Sequence, residues 1–231
     1  MKRARSYYSI FYISLLGAGL GYFFRSSQLS GGSLIPIVAF SALLVCIFGL
    51  GAGTLEKNSV YAEVYRKNMA DLCFSVLAAA GLAGCAILEG TASTMSAVLC
   101  VMGMIAAASM LFSAILRVKG EKPSVPAGVL VILFYIVRLF RDFRLWEIDP
   151  NITHYCFQLF AMICYMLVSY HAVAYCYDKG ARRRLAFFAV TGVLFSGISM
   201  AGADLGNLCL YGGSLLWMLA CALQMLRKAE N

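Results

Sequence analysis

Charge is scarce in this chain. Asp, Glu, Lys and Arg make up 13% of its 231 residues, against about 25% in an ordinary soluble domain. So few charges cannot cover a water-soluble surface, and a disordered chain needs still more of them. Histidine is nearly absent. His154 and His171 stand about 25 Å apart along one helix, and no HExxH pattern holds either of them, so no metal site is expected. Cysteine is plentiful, with nine residues, but the number is odd and no CxxC pair occurs. Cys46, Cys73, Cys85, Cys100, Cys164, Cys176, Cys209 and Cys221 all fall in apolar runs. There they act as small apolar fillers, and neither a disulfide framework nor a metal cluster follows from them. The glycine-rich phosphate loop is missing. So is the nucleophile elbow, since Gly197-Ile198-Ser199-Met200-Ala201 lacks its closing glycine. Without convergent nucleophile, acid and base, an enzyme is disfavoured and no cofactor is implied.

What remains is apolar. Hydrophobic residues are 61% of the chain and the mean hydropathy is +0.80. A membrane-crossing helix needs about 20 mostly apolar residues, and eight segments qualify: 7–24, 34–53, 69–88, 93–116, 126–145, 155–177, 185–202 and 206–226. The runs are continuous and lack the alternation of a barrel wall. The expected fold is therefore all-α, one polytopic bundle over residues 1–231 with no soluble domain.

Lys and Arg placement gives the orientation. Fifteen of the 19 basic residues fall on one side of this eight-span scheme. They lie in the N-terminal tail, the loops after the second, fourth and sixth spans, and the C-terminal tail. Arg25, Arg138, Arg141 and Arg144 lie toward the other side. Both termini are thereby expected in the cytoplasm of a cell membrane. The net charge of +8 reflects this retention signal and attraction to anionic headgroups. With no basic face on a folded domain, nucleic acid is excluded as a partner. The lipid bilayer is the expected partner.

Small residues recur at spacing four, as in Gly17/Gly21, Gly49/Gly53, Gly103/Ala107 and Gly192/Ser196. Such spacing lets helices approach closely in lipid. Gly212-Gly213 lies inside the last span, where a glycine pair could break a helix at a binding site. In the loop after the second span, Val60, Tyr61, Val64 and Tyr65 share one helical face. They suit either a short helix on the inner leaflet or a plain polar loop.

The fifth span and its exit carry the most unusual chemistry: Tyr135, Arg138, Arg141, Asp142 and Arg144, followed by Asp149-Pro150. Arg138 lies about 18 Å along a helix entered at Pro126. A charge at such depth is costly and faces a partner or a wet cavity. Asp142 stands four residues on, where it can pair with Arg138. Gln158, with Tyr155 above it, falls at similar depth on the next span. Arg138, Arg141, Asp142, Gln158, Tyr135 and Tyr155 are thus the candidate solute-binding residues, and two arginines suit a carboxylate or phosphate. The other reading is that Arg138 snorkels to the interface and the remaining charges fix helix depth. Asp71, Glu89, Asp178 and Asp204 sit at span ends, where carboxylates cap helices. Asp204 and Asn207 would join the same pocket if the eighth span packs beside the fifth. His171 beside Tyr170 reads as a core residue or a proton relay. Asn151-Ile152-Thr153 forms a glycosylation triplet, relevant only in a eukaryotic secretory pathway.

The second half is similar to a type of small bacterial polytopic membrane protein. The features are the apolar span running into Arg and Asp, Asp149-Pro150, a Tyr-rich sixth span, Asp178-Lys179-Gly180-Ala181-Arg182-Arg183-Arg184 and a Phe-rich seventh span. The resemblance covers about residues 126–227. It implies a bacterial cytoplasmic membrane and carries no activity. Two functions compete: a permease or solute-binding subunit for a small anionic solute, and a non-catalytic accessory, sensor or scaffold subunit with a membrane-protein partner.

Overall fold

The structure is a computed structural model and describes residues 2–57, 59–65, 68–90, 93–146 and 155–226. The described chain is helical: α1 (Lys2–Leu29), α2 (Ile35–Gly53), α3 (Tyr61–Val64), α4 (Met69–Glu89), α5 (Thr94–Lys119), α6 (Val125–Trp146), α7 (Cys156–Ala174), α8 (Arg182–Met200) and α9 (Leu205–Leu226). No strand occurs among the described residues. A single antiparallel bridge joins Ser59 to Gly180.

Six of these helices, α2, α4, α5, α7, α8 and α9, are long and apolar enough to cross a membrane. The chain is an integral membrane protein of helical type. The other two long helices, α1 and α6, also align with expected spans. Arg138, Arg141 and Asp142 interrupt the apolar run of α6. Arg66, Lys67, Arg227 and Lys228, the Asp149-Pro150 step, the 151–153 triplet and His154 lie outside the described residues.

Local chemistry sets the helix ends. Asn68 caps α4 by accepting from the Ala70 amide at 3.1 Å, and Ser93 caps α5 by accepting from Ser96. Each satisfies an amide that the first turn leaves orphaned. Arg117 and Lys119 occupy the last turn of α5, where a cation suits the negative end of the helix dipole.

The core sits on α8, whose residues from Ala189 to Ser199 are all buried. It packs against α1, α2, α7 and α9. The tightest pairing is α4 with α9. A Cβ at Gly81 would lie 2.7 Å from the Cα of Gly213, and one at Gly213 would lie 2.9 Å from the Ala78 carbonyl. Only glycine admits this approach, and of the two roles open to the pair, packing or a helix break, the structure shows packing. α9 runs unbroken through Gly212-Gly213, and Gly213 is a contact surface. Gly197 likewise admits the backbone of Ala18 where α1 crosses α8.

The basic end carries Arg117, Lys122, Lys179 and Arg182. The far end carries Glu89 and Asn207. At the basic end the segment around α3 forms one helical turn and docks on the bundle. Tyr61 and Val64 are buried. The Tyr65 ring stacks on Tyr61 at 4.8 Å and meets Tyr175 edge-on. Its site is the protein, where the sequence suggested the leaflet surface or a loop. Asp178 holds it there. Its backbone is left-handed at φ 53°, and its carboxylate accepts from the Tyr61 amide at 3.2 Å and pairs with Lys122. The bond from Lys122, then that from Tyr61, lowers the Asp178 carboxyl below its ordinary value. Burial pushes the Tyr61 hydroxyl up to about 12.

A group whose pKa is depressed on folding stabilises above its unfolded value and stops as pH falls through the folded one. The α3 clamp is therefore expected in full at neutral pH, weakening once pH falls below the ordinary aspartate pKa of about 3.9 and lost as it passes the lower folded value. Asp178→Asn tolerates the same backbone and should mimic acid at pH 7. Trypsin cleavage at Lys57 is expected to rise several-fold in this variant. Unchanged cleavage kinetics would show that the aromatic contacts alone hold α3.

Candidate functional site

α6 buries one face, formed by Val131, Phe134, Tyr135, Arg138 and Asp142, and turns Phe140, Phe143 and Leu145 outward. Arg138 lies eight residues before Trp146, about 12 Å inside the helix end. It is 2% exposed, so it points inward and does not snorkel.

Its partners come from three helices. The Arg138 Nε donates to Asp142 at 2.9 Å, one turn on. Nη1 donates to Glu89 at the end of α4, and Nη2 to the Asn207 side-chain oxygen on α9 at 2.8 Å. Arg141 donates to Glu89 at 2.9 Å and to Asp142 at 3.2 Å. The Asn207 amide nitrogen donates in turn to Asp204. All three guanidinium nitrogens of Arg138 are occupied, and two arginines face two carboxylates. Such pairing offsets the cost of a charge at membrane depth.

Below the cluster, the Tyr135 hydroxyl bonds Ser214 of α9 at 2.9 Å. The Tyr135 ring packs on Tyr165 and stacks on Trp217. From Asp204, which immediately precedes α9, the residues Asn207, Tyr211, Ser214 and Trp217 follow at steps of three or four, so the four helical ones share one face. A polar column thus runs between α6 and α9. Beneath it lies a cavity of about 50 Å³ whose walls include Ser113, Arg117, Ser124, Ser169 and Trp217. That volume holds a few waters. α6 meets α9 almost wholly through these long side chains, because the two backbones scarcely approach.

A second ion pair closes the basic end. Arg117 donates to Asp71 at 3.0 Å and to Ser75 at 3.0 Å, with its guanidinium over the Tyr65 ring. Helix α4 therefore carries an acid matched by an arginine near each end. Asp71 and Glu89 are about 27 Å apart, close to the thickness of a hydrocarbon core.

The structure thus brings together Arg138, Arg141 and Asp142, with Tyr135 one turn away. Asn207 and Asp204 join them, as the packing of the last span beside the fifth required. Gln158 joins none of these hydrogen bonds. It is half-buried near the start of α7, while the guanidinium of Arg138 turns toward α4 and α9. Tyr155, also half-buried, immediately precedes α7. His171 is a buried residue stacked on Phe188. Glu89 and Asp71 carry the largest difference from the sequence reading, which placed them as helix-end residues. Depth matching was the available signal. In an antiparallel bundle the end of one span meets the exit of the next but one, and the start of α4 meets the end of α5.

No family model, curated protein or solved structure matches the chain. Among the described residues no group of three His, Cys, Asp or Glu stands ready to hold a metal ion.

Proposed function

We propose that this chain is a permease for a small anionic solute, with the α6–α9 seam as its path and the Arg138 cluster as its gate at the far end. The observation that carries the reading is the polar column, capped by the Arg138 cluster and ending below in a small cavity whose mostly apolar wall includes Arg117 and three serines. A carboxylate or phosphate on the solute would exchange with Glu89 on Arg138. One anion would then replace another on the same donor, so the guanidinium would never be left bare. Seams bridged by side chains part more readily than helices in backbone contact, which makes α6 against α9 the mobile interface and α4–α9 the fixed one. The basic end then faces the cytoplasm, as the Lys and Arg distribution suggests.

Permeation requires water at mid-membrane, which labelling tests directly. In a cysteine-free background, Ser214→Cys should react with a hydrophilic thiosulfonate reagent, and small carboxylates or inorganic phosphate should slow the reaction. In proteoliposomes, uptake from a panel of labelled carboxylates and phosphate should fall at least 100-fold in Arg138→Gln. A Ser214→Cys thiol inert from both sides, together with normal uptake in Arg138→Gln, would sink the reading.

A further inference from the structure

A second site lies on the opposite flank of the bundle. Between α2, α7 and α8 runs a groove of about 690 Å³. Its walls are almost wholly apolar, with Phe157, Phe160, Phe187 and Phe195 contributing rings. Along α2 it extends from Leu34 to Cys46, about 18 Å at 1.5 Å per residue. That is slightly more than half of a hydrocarbon core of about 30 Å, the depth of one leaflet. The side toward the bilayer is open. Val38 and Phe160 on its rim are each 47% exposed.

Two further features separate this groove from the ordinary lipid-facing surface. At its far-end mouth the Arg25 guanidinium lies over the Phe157 ring, 5.6 Å from the centroid, and donates to Gln28. Arg25 is 5% exposed, so its positive charge is held within the protein, beside the Phe157 ring that lines the groove. In the groove wall, the hydroxyl of Thr191 has no hydrogen-bond partner although it is buried. A helical threonine ordinarily bonds the carbonyl three or four residues back.

We infer that the groove is a phospholipid site, holding one acyl chain of the far-side leaflet with its anionic headgroup at Arg25. The match of groove depth to leaflet depth sets the chain's length and direction. The cation at the mouth sets its polarity. The apolar walls accept methylenes of any sequence, so selectivity rests on the headgroup. The site shares no residue with the α6–α9 seam, so a failure here leaves the permease reading untouched.

The test uses the full chain in phosphatidylcholine nanodiscs containing a small fraction of phosphatidylglycerol with a photoreactive diazirine on its acyl chain. Labelled peptides are mapped by mass spectrometry. Label is expected to concentrate on the Cys46 and Phe160 peptides, at least five-fold over the outward face of α5. Ala42→Trp, which fills the groove from an exposed wall position, should remove that excess, as should Val38→Trp from the rim. Arg25→Gln should abolish the preference for phosphatidylglycerol over an equally labelled phosphatidylcholine. Label spread evenly over all lipid-facing helices, or unchanged by both tryptophan variants, would overturn the site. So would absence of label from the groove when the chain purifies with a second protein whose own peptides take the label.

Discussion

Arg138→Met is expected to cost about 3–5 kcal/mol, the penalty for breaking a buried ion pair from one side. Removing the guanidinium leaves the largely buried carboxylates of Glu89 and Asp142 with only Arg141 to serve them. Melting in detergent, followed with a thiol-reactive dye, reads this directly, because Cys85, Cys164 and Cys221 are buried in the folded protein. At roughly 2–4 °C per kcal/mol for a chain of this size, the midpoint should fall by about 10 °C. Charge balance makes a sharper claim. Arg138→Gln/Glu89→Gln removes one cation and one anion, leaving Arg141 with Asp142, and should melt well above Arg138→Gln alone. Arg138→Lys should not rescue, since one ammonium cannot bridge acceptors on α4, α6 and α9 in the planar geometry of a guanidinium. If Arg138→Met melts like the native protein, the cluster is neither buried nor coupled as described, and the gate loses its basis. A stable variant that has lost uptake would separate transport from folding.

Gly81→Leu should be the most disruptive single change in the apolar part of the bundle. A Cβ at this position already falls within 3.0 Å of the Gly213 and Cys209 backbones, and backbone cannot step aside as a side-chain tip does. The helices must separate, and the contacts lining the α4–α9 interface go with them. Gly81→Ala is expected to cost about 1–3 kcal/mol, and the leucine variant to fail to assemble. Gly84, one turn away, supplies the control. Its Cβ would meet only the Cys209 side chain, at 3.7 Å from the sulfur and 3.9 Å from the Cβ, ordinary contacts, so Gly84→Ala should melt within a degree or two of the native chain. Equal losses at the two positions would mean that helix propensity in α4, and not the closeness of α9, decides the outcome.

Both results bear on the proposed mechanism. α4 is fixed to α9 by glycine contact and pinned by Asp71–Arg117 and Glu89–Arg138 near its two ends. It serves as the rigid wall of the seam. α6 reaches α9 through Tyr135 and Arg138, whose contacts can change without disturbing backbone packing. A gate belongs on that side.

Composition and hydropathy alone set the solvent and the class of fold. An apolar fraction of 61% admits only burial in lipid, and continuous apolar runs admit only helices, since the backbone must satisfy its own hydrogen bonds there. The sequence also marked Arg138 and Asp142, because a charge four residues from its counter-charge declares itself on any helix. It left open how deep Arg138 points and which helices surround it. Tertiary packing decided both. Glu89 and Arg138 are 49 residues apart in the chain, and nothing local distinguishes an acid that caps α4 from one that neutralises an arginine on α6. Gly213 is similar: spacing marked it as unusual, but only the position of Gly81 turned it from a suspected break into a contact. The physical reason is common to both. Periodicity fixes which residues share a helix face, whereas the partner of that face is set by the lateral order of helices in the membrane, on which hydropathy is silent.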